Sequence, residues 1–329
     1  MFRRSPFSQR LSPRSRAIVK KVLTGNNGIE ARRLALDHLD HAFDLTPDAL
    51  HSRFVLTAPA LAAQAAQGAL RDASLEPRKI DAVIVSTCTG YLCPGLTSYL
   101  GERLPLRPDI LTFDLVGQGC GAALPNLRAA EALLTAGRCR HILSVCVEVC
   151  SAALYFDDDP GVLISACLFG DGAGAAIVSQ APNGKRGIEW RASSSLLDPR
   201  DRDALRFEQR DGFLRNILRP QVPMLAAQMA PRVLDDALAR AGLERSRITG
   251  WVLHPGGRDV LSALRESLGL RPDDVRCSEA VLREFGNVSS ASVYFVLQAA
   301  LADGVPRGVW WLSSFGAGFS CHGALLAVE

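Results

Sequence analysis

The chain has 329 residues, of which 48% are hydrophobic, with a formal net charge of +3 and nine cysteines. The length allows two domains or one large α/β unit, and the small net charge gives no indication of a nucleic-acid partner. No apolar run approaches the roughly 20 residues that span a bilayer, and no secretory leader is recognisable, so we expect a cytoplasmic protein with reduced cysteines and no membrane partner.

Apolar runs and helical periodicities alternate along the chain. The predicted strands of the first half are 80–86, 110–116, 141–149 and 173–179, and its predicted helix is 126–136. The second half has predicted helices at 224–241, 260–268 and 290–301 and predicted strands at 251–253, 309–313 and 323–328. Strands that alternate with helices indicate an α/β fold with largely buried sheets.

The two halves repeat the same order of features. Ile80 and Ile248 each open an apolar strand shortly after a Leu-Glu pair, and they are 168 residues apart. Cys120 and Asn287 each follow a glycine and open a predicted helix, and they are 167 residues apart. A steady offset of about half the chain length is typical of an internal duplication.

Three side chains with complementary chemistry fall at strand or helix ends: Cys120, His254 and Asn287. A thiol attacks as the thiolate, and a helix N-terminus with a neighbouring imidazolium is expected to lower its pKa below the usual value of about 8.5. An imidazole N–H and a carboxamide are donors that stabilise an oxyanion or enolate, so we expect neither a metal nor a cofactor. Each residue alone has a structural interpretation, as a core thiol, a strand end or a helix N-cap. Their repeat-related positions favour a shared catalytic site.

Two glycine-rich segments, 117–121 and 170–174, resemble nucleotide-binding loops only superficially. The first lacks the third glycine at the required spacing, and the second is followed by a strand-like run instead of a helix. We interpret the second as a tight turn into a strand.

Four motifs occur in a fixed order along the chain: Gly117-Gln118-Gly119-Cys120, Leu168-Phe169-Gly170-Asp171-Gly172-Ala173, His254-Pro255-Gly256-Gly257 and Gly286-Asn287-Val288-Ser289-Ser290-Ala291. They resemble the motifs of type III polyketide synthases of the bacterial type. This is the chalcone and stilbene synthase family, which belongs to the thiolase superfamily. The resemblance extends from about residue 15 to the C-terminus.

The resemblance implies a thiolase-like fold. Two similar α/β halves, residues 1–182 and 183–329, would form a five-layered α-β-α-β-α arrangement, and two copies would form a homodimer. It also implies a decarboxylative Claisen condensation. Cys120 would accept an acyl group from an acyl-CoA starter, and His254 and Asn287 would hold the thioester oxygen of malonyl-CoA as CO₂ leaves. Several rounds would precede cyclisation to a pyrone, a resorcinol or a related polyketide.

The resemblance further implies which residues bind substrate. Phe169 matches a gatekeeper between the CoA tunnel and the cavity; Asn216 stands at the second gatekeeper position, and Phe213 nearby is an alternative. The other implied cavity residues are Cys88, Ala153 and Ser289, together with Cys93, which would reach the cavity of the partner subunit. The candidates for binding coenzyme A are Lys20, Lys21, Arg32, Arg33 and Gly256.

Two features depart from the family pattern. The family's first strand would precede Ser8, where this chain has a short Arg-rich stretch. Either the start of the chain was assigned downstream, or a core sheet lacks an edge strand and leaves backbone groups unpaired. Gly316-Ala317-Gly318 stands where the family has Gly-Pro-Gly, and the alanine removes a rigid φ angle beside the site.

Two other functions remain open from the sequence. An initiating 3-ketoacyl-ACP synthase uses the same Cys, His and Asn. Alternatively, the chain is a non-catalytic partner of an active paralogue, an idea that the missing strand motivates.

Overall fold

The computed structural model describes residues 9–180 and 187–329, whose strands form two four-stranded sheets and one separate hairpin. The strands are β1 (Ala82–Ser86), β2 (Leu111–Leu115), β3 (His141–Glu148), β4 (Gly172–Ser179), β5 (Ile188–Leu197), β6 (Leu205–Arg210), β7 (Phe213–Leu218), β8 (Ile248–Leu253), β9 (Gly308–Gly316) and β10 (Ser320–Val328). The α-helices are α1 (Pro13–Thr24), α2 (Pro47–Asp72), α3 (Leu96–Arg103), α4 (Ala123–Thr135), α5 (Pro160–Leu168), α6 (Val222–Ala241), α7 (Arg258–Ser267), α8 (Arg276–Phe285) and α9 (Ser292–Ala302).

Three strands of one sheet match three strands of the other. The first has the order β2-β1-β3-β4, and the second has the order β8-β9-β10-β5. In each sheet a parallel pair, β1 with β3 or β8 with β9, is followed by an antiparallel partner, β4 or β10. The helix that directly precedes the second strand of the parallel pair is α4 in one half and α9 in the other. The internal duplication expected from the sequence is therefore confirmed.

The helices and sheets stack in five layers. Apolar residues of α4 and α9 pack between the two sheets, α2 and α3 cover the outer face of the first sheet, and α6 and α7 cover the outer face of the second. Strand alternation produces this arrangement, because neighbouring side chains point to opposite faces. On β9, for example, Trp310 faces the middle layer and Trp311 faces the outer one. The predicted thiolase-like fold is confirmed.

The central strands and helices lie within a few residues of their predicted positions, but several elements were not predicted. These are α1, α2, α3, α5, α8, β5 and the β6–β7 hairpin. The long helix α2 is rich in alanine and has weak contrast between its faces, whereas β5 carries polar residues on a mostly exposed strand. Such segments give little periodic signal.

Among the described residues, the outer edge of β4 pairs with no strand, whereas its counterpart β10 pairs with β5. The expected lack of an edge strand stays a prediction. The Arg-rich stretch before residue 9 lies outside the described residues. So does the boundary at 182/183, which stays a prediction. No helix in the described part of the chain is long and apolar enough to cross a membrane.

A buried amide connects the first sheet to the middle layer. The Nδ2 of Asn126 on α4 lies 3.1 Å from the carbonyl oxygen of Ile84 and 2.9 Å from the hydroxyl of Ser86. Its Oδ1 accepts a 2.6 Å hydrogen bond from Ser144, whose hydroxyl also lies 2.7 Å from that of Tyr294 on α9. The network thus joins the two halves through fully paired polar groups.

Replacing Asn126 with leucine is expected to lower the free energy of unfolding by about 1–3 kcal/mol, because buried hydroxyl and carbonyl groups lose their partner. Urea unfolding monitored by tryptophan fluorescence measures the change. The matched control is Gln64→Leu on the exposed side of α2, which should change stability by less than about 0.5 kcal/mol. Equal effects of the two substitutions would contradict the role assigned to the network.

Candidate active site

Cys120 lies in a 3₁₀ turn, Gly119–Gly121, that leads into α4. The turn packs tightly against the loop between β9 and β10. Gly119 has a φ of 58°, and a Cβ at this position would lie 3.1 Å from the backbone nitrogen of Ala317. Only glycine fits such a close approach in the left-handed region without strain. The alanine that departs from the family pattern therefore sits directly against the turn that carries the thiol.

A chain of hydrogen bonds connects Cys120 to the other two predicted catalytic residues. The hydroxyl of Ser289 donates to Cys120 Sγ at 3.3 Å, and the backbone N–H of Ser289 donates to Asn287 Oδ1 at 2.8 Å. Asn287 Nδ2 donates to the carbonyl of Gly256 at 3.2 Å, and the N–H of Gly256 donates to the carbonyl of His254 at 2.9 Å. The structure thus brings residues from both halves into one site.

Ser289 adopts a φ of 48°, a left-handed conformation that non-glycine residues seldom take. This conformation costs free energy and persists only where surrounding contacts hold it. Here it lets one serine reach both Cys120 through its hydroxyl and Asn287 through its backbone.

Backbone pairing fixes Asn287 beside the Phe169 loop. The N–H of Gly170 donates to the carbonyl of Asn287, and the N–H of Asn287 donates to the carbonyl of Leu168, each at 2.9 Å. These bonds form a parallel β-bridge between Phe169 and Asn287. Because Phe169 belongs to the first half and Asn287 to the second, the bridge sets their relative position directly.

His254 directly follows β8 and is buried. Its ring packs edge-on against Phe315 at 5.2 Å, and only 1% of the residue is exposed. Neither ring nitrogen has a hydrogen-bond partner among the described residues. Burial lowers the pKa of His254 to about 3, so the ring is neutral near pH 7 and has its nitrogens free for a ligand.

The expected lowering of the Cys120 pKa is wrong for the free protein. Burial raises the pKa of the Cys120 thiol to about 12, and the hydrogen bond from Ser289 only partly opposes this effect. The neutral ring of His254 supplies no positive charge, and the nearby carboxyl of Glu148 raises the pKa of Cys120 further. The thiol therefore keeps its proton until a base removes it.

A cavity of about 350 Å³ opens in front of Cys120. This volume is at the lower end of the range for small-molecule sites, about 300–1,000 Å³. The predicted substrate-binding residues that line it are Cys88, Ala153, Phe169, Asn216 and Ser289. His254 and Asn287 do not line this cavity and lie behind Ser289 and Gly256.

Two other predicted substrate-binding residues do not line the cavity. Phe213 packs edge-on against Tyr155 at 5.6 Å, and it is Tyr155 that contributes to the cavity wall. The structure therefore places Asn216, and not Phe213, at the wall. Cys93 is exposed and outside the cavity, and its predicted reach into a partner subunit stays a prediction.

The predicted CoA-binding residues fall into two groups. Arg32 donates to the carbonyl oxygens of Ala166 and Phe169 at 2.8 and 3.1 Å, so its guanidinium is engaged in holding the end of α5. The carbonyl of Gly256 accepts the amide of Asn287. These two residues thus have structural roles that sequence reasoning missed. The exposed cations of the set are Lys20, Lys21 and Arg33.

Sequence reasoning also missed Glu148. This fully buried carboxylate at the end of β3 accepts hydrogen bonds from the backbone of Cys88 at 3.0 Å and the hydroxyl of Thr89 at 2.9 Å, and also from the hydroxyl of Ser290. Burial raises its pKa. It holds Cys88 and the segment after Asn287 in place. In the sequence, the only sign of this residue's role was that a single acidic residue stands at the end of an apolar strand.

Within residues 9–180 and 187–329 there is no group of three or more His, Cys, Asp or Glu side chains arranged to hold a metal ion.

Comparison with known proteins gives two family matches that together cover most of the chain. Residues 47–196 match the model "FAE1/Type III polyketide synthase-like protein" and residues 194–326 match "Chalcone and stilbene synthases, C-terminal domain". A 3,5-dihydroxyphenylacetyl-CoA synthase from Streptomyces toyocaensis is 32% identical over 295 residues, which are 86% of this chain and 75% of that protein.

Two solved structures are similar over nearly the whole chain. The 1,3,6,8-tetrahydroxynaphthalene synthase from Streptomyces coelicolor A3(2) superposes with a TM-score of 0.88 at 25% identity, covering 99% of this chain and 92% of the other. PKS-I from the brown alga Ectocarpus siliculosus gives a TM-score of 0.88 at 26% identity, with the same coverage. These matches agree with the observed fold and with the order of the four motifs. The chain therefore belongs to the type III polyketide synthase family of acyl-CoA condensing transferases.

Proposed function

We propose that this protein extends an acyl group held on Cys120 by decarboxylative condensation with malonyl-CoA. The observation that supports the proposal most strongly is the hydrogen-bonded chain from Cys120 through Ser289 and Asn287 to Gly256, which is bonded in turn to His254. It connects Cys120, which lines the cavity, to the two residues that we propose as oxyanion donors. Such an arrangement suits an acyl transfer followed by enolate formation.

The first step of the proposed reaction loads the starter. His254, being neutral, removes the proton of the Cys120 thiol as the sulfur attacks the carbonyl of an acyl-CoA. The tetrahedral intermediate then expels the CoA thiolate, which recovers that proton from the imidazolium. Because the lowered pKa of His254 makes its ring a weak base for this thiol, we propose that the proton moves while the sulfur attacks the carbonyl and not before it.

The second step extends the chain. The bond between the α-carbon and the carboxylate of malonyl-CoA breaks, CO₂ leaves, and the electron pair forms an enolate. The ring N–H of His254 and the amide N–H of Asn287 that remains free stabilise the enolate oxygen. The enolate carbon attacks the acyl-Cys120 carbonyl and displaces the thiolate. The acyl chain is now two carbons longer and carried by coenzyme A, and it returns to Cys120 for another round.

The exposed cations Lys20, Lys21 and Arg33 are proposed to bind the phosphates of coenzyme A. Helix α1, which carries the two lysines, packs against α5 through the apolar contacts of Leu11, Val19 and Leu163. Since α5 also lines the cavity, the two lysines lie on an element next to it. A cytoplasmic location is part of the proposal, because the substrates are CoA thioesters and the nine cysteines of the protein form no disulfide.

The proposed product is a cyclised, oxygenated polyketide of the pyrone or resorcinol type. The similarity to a 3,5-dihydroxyphenylacetyl-CoA synthase supports this, because that product carries a resorcinol ring. The modest cavity volume is compatible with a small ring system.

We expect the protein, given malonyl-CoA and a short acyl-CoA without any carrier protein, to release CO₂ and form pyrone or resorcinol products. Cys120→Ala should abolish product formation, because no other residue accepts the acyl group. Mass spectrometry of products and intact protein gives the readout. Cys139→Ala, a buried cysteine in a separate cluster, is the matched control and should keep full activity.

Two results would contradict the proposal. Turnover that requires acyl carrier protein would identify an initiating 3-ketoacyl-ACP synthase. Absence of both acylation and CO₂ release would identify a non-catalytic partner.

The decarboxylation of malonyl-CoA by the Cys120→Ala variant is expected to be independent of pH between about pH 5 and pH 8. A histidine with the ordinary pKa of about 6.5 would become charged as the pH falls through that value. Burial lowers the pKa of His254 to about 3, so its ring remains neutral throughout this range. The initial rate of CO₂ release measures this. A rate change with a midpoint near pH 6.5 would show that the ring titrates normally.

We also propose that the protein is a homodimer that pairs through β2. This strand is at the edge of the first sheet and is mostly exposed. Large apolar residues on and beside it are exposed, namely Leu111, Phe113 and Val116. An exposed apolar edge strand readily pairs with a second copy.

Phe113→Glu is expected to convert the dimer to a monomer, because dimerisation would bury the new charge. Light scattering after size-exclusion chromatography measures the mass. Leu56→Glu, at an exposed leucine on α2, is the matched control and should leave the dimer intact. A wild-type monomer, or a Phe113→Glu dimer, would contradict the proposed interface.

A further inference from the structure

The β6–β7 hairpin forms one wall of the cavity. In this antiparallel pair, Phe207 is directly opposite Asn216, so their side chains point to the same face. Phe207, Asn216 and the neighbouring Leu205 all line the cavity. Arg206 also lines the cavity, but its guanidinium is ion-paired with Asp203 and Glu208, so the carboxamide of Asn216 is the neutral polar group of this wall.

That carboxamide is buried without a partner. Asn216 is only 8% exposed, and its Oδ1 has no hydrogen-bond partner among the described residues. An unpaired buried acceptor costs about 1–3 kcal/mol. Since the side chain faces the cavity, a ligand in the cavity is able to satisfy it.

The hairpin is held firmly on its other face. Arg215, the residue before Asn216, makes ion pairs with Asp157 at 2.7 Å, Glu208 at 2.9 Å and Asp159 at 3.3 Å. These pairs tie β7 to the segment that leads into α5 and to the adjacent strand. The position of the carboxamide is thus fixed before any ligand binds, which favours a selective hydrogen bond.

The chemistry of the carboxamide limits the classes of ligand that are able to bind it. Its oxygen requires an O–H or N–H donor, and its NH₂ group donates to a carbonyl. A saturated alkyl chain offers neither. A β-keto chain offers both, because it carries ketone oxygens and, in its enol form, a hydroxyl group.

We propose that Asn216 determines specificity by hydrogen bonding to a keto or enol oxygen of the acyl chain carried by Cys120, so that the cavity selects β-keto chains over alkyl chains of the same length. This inference rests on the proposed condensing function. It assigns a binding role to Asn216 and no role in the bond-making steps.

Two starters of equal length test the proposal: acetoacetyl-CoA, which has a β-keto group, and butyryl-CoA, which has none. The quantity measured is the ratio of their kcat/KM values for CO₂ release from malonyl-CoA, with acyl-Cys120 formation followed by intact-protein mass. The wild type is expected to prefer acetoacetyl-CoA. Asn216→Leu, which is similar in size, should reduce the ratio roughly tenfold, because the lost hydrogen bond affects only one starter.

Phe207→Leu is the matched control on the same wall. It changes the cavity volume but no hydrogen-bonding group, so the rates for both starters should change together and their ratio should remain. If Asn216→Leu does not fold, Asn216→Ala is measured in the same way and must show the same fall in the ratio.

The outcomes separate this inference from the proposed function. A wild-type ratio near one, or an unchanged ratio in the Asn216 variants, overturns the role of Asn216 while acylation of Cys120 still supports the function. Failure of both starters to acylate wild-type Cys120 overturns the proposed function, and the inference with it.

Discussion

The site depends on the hydrogen bond that the hydroxyl of Ser289 donates to the sulfur of Cys120. The thiol belongs to the first half of the chain, and the serine, with Asn287 and His254, belongs to the second. The bridge between Phe169 and Asn287 makes a second connection between the same halves. If either connection were lost, Cys120 would no longer be held in place relative to the oxyanion donors that we propose. The left-handed backbone of Ser289 is the local cost of this arrangement.

The duplicated fold explains why these residues meet. Helices α4 and α9 lie together between the two sheets, and the turns before them carry Cys120 and Ser289. Because three strands of each sheet have the same topology, equivalent turns face each other across the middle layer. The same arrangement buries the site deeply, which keeps His254 neutral and Cys120 protonated in the free protein. In the mechanism that we propose, the proton therefore moves between two neutral groups.

Much of this arrangement was predictable from sequence. The α/β alternation and the internal repeat followed from apolar periodicity. Cys120 and Asn287 were candidates because each follows a glycine at a related position, and His254 because it ends a predicted strand. The direction of the Cys120 pKa shift was not predictable, since it depends on burial by segments far apart in sequence. A helix N-terminus alone would lower the pKa of Cys120, whereas burial raises it.

The surroundings of the site were harder to predict for the same reason. Strand register decides that Asn216 and not Phe213 lines the cavity, and no pattern in residues 205–218 reveals that register. Arg32 resembles a phosphate ligand in sequence, but its carbonyl partners lie more than 130 positions away. Glu148 is identified only by its donors, which come from separate segments of the chain.

The most direct test of a site shared between the halves is a rapid-quench single turnover with Asn287→Leu, starting from protein acylated on Cys120 with a carbonyl-labelled starter. Our account predicts that Cys120 still accepts the label, but that malonyl-CoA no longer extends it, so that the labelled acyl-protein accumulates. Extension at the wild-type rate, or label on a residue other than Cys120, would contradict the account.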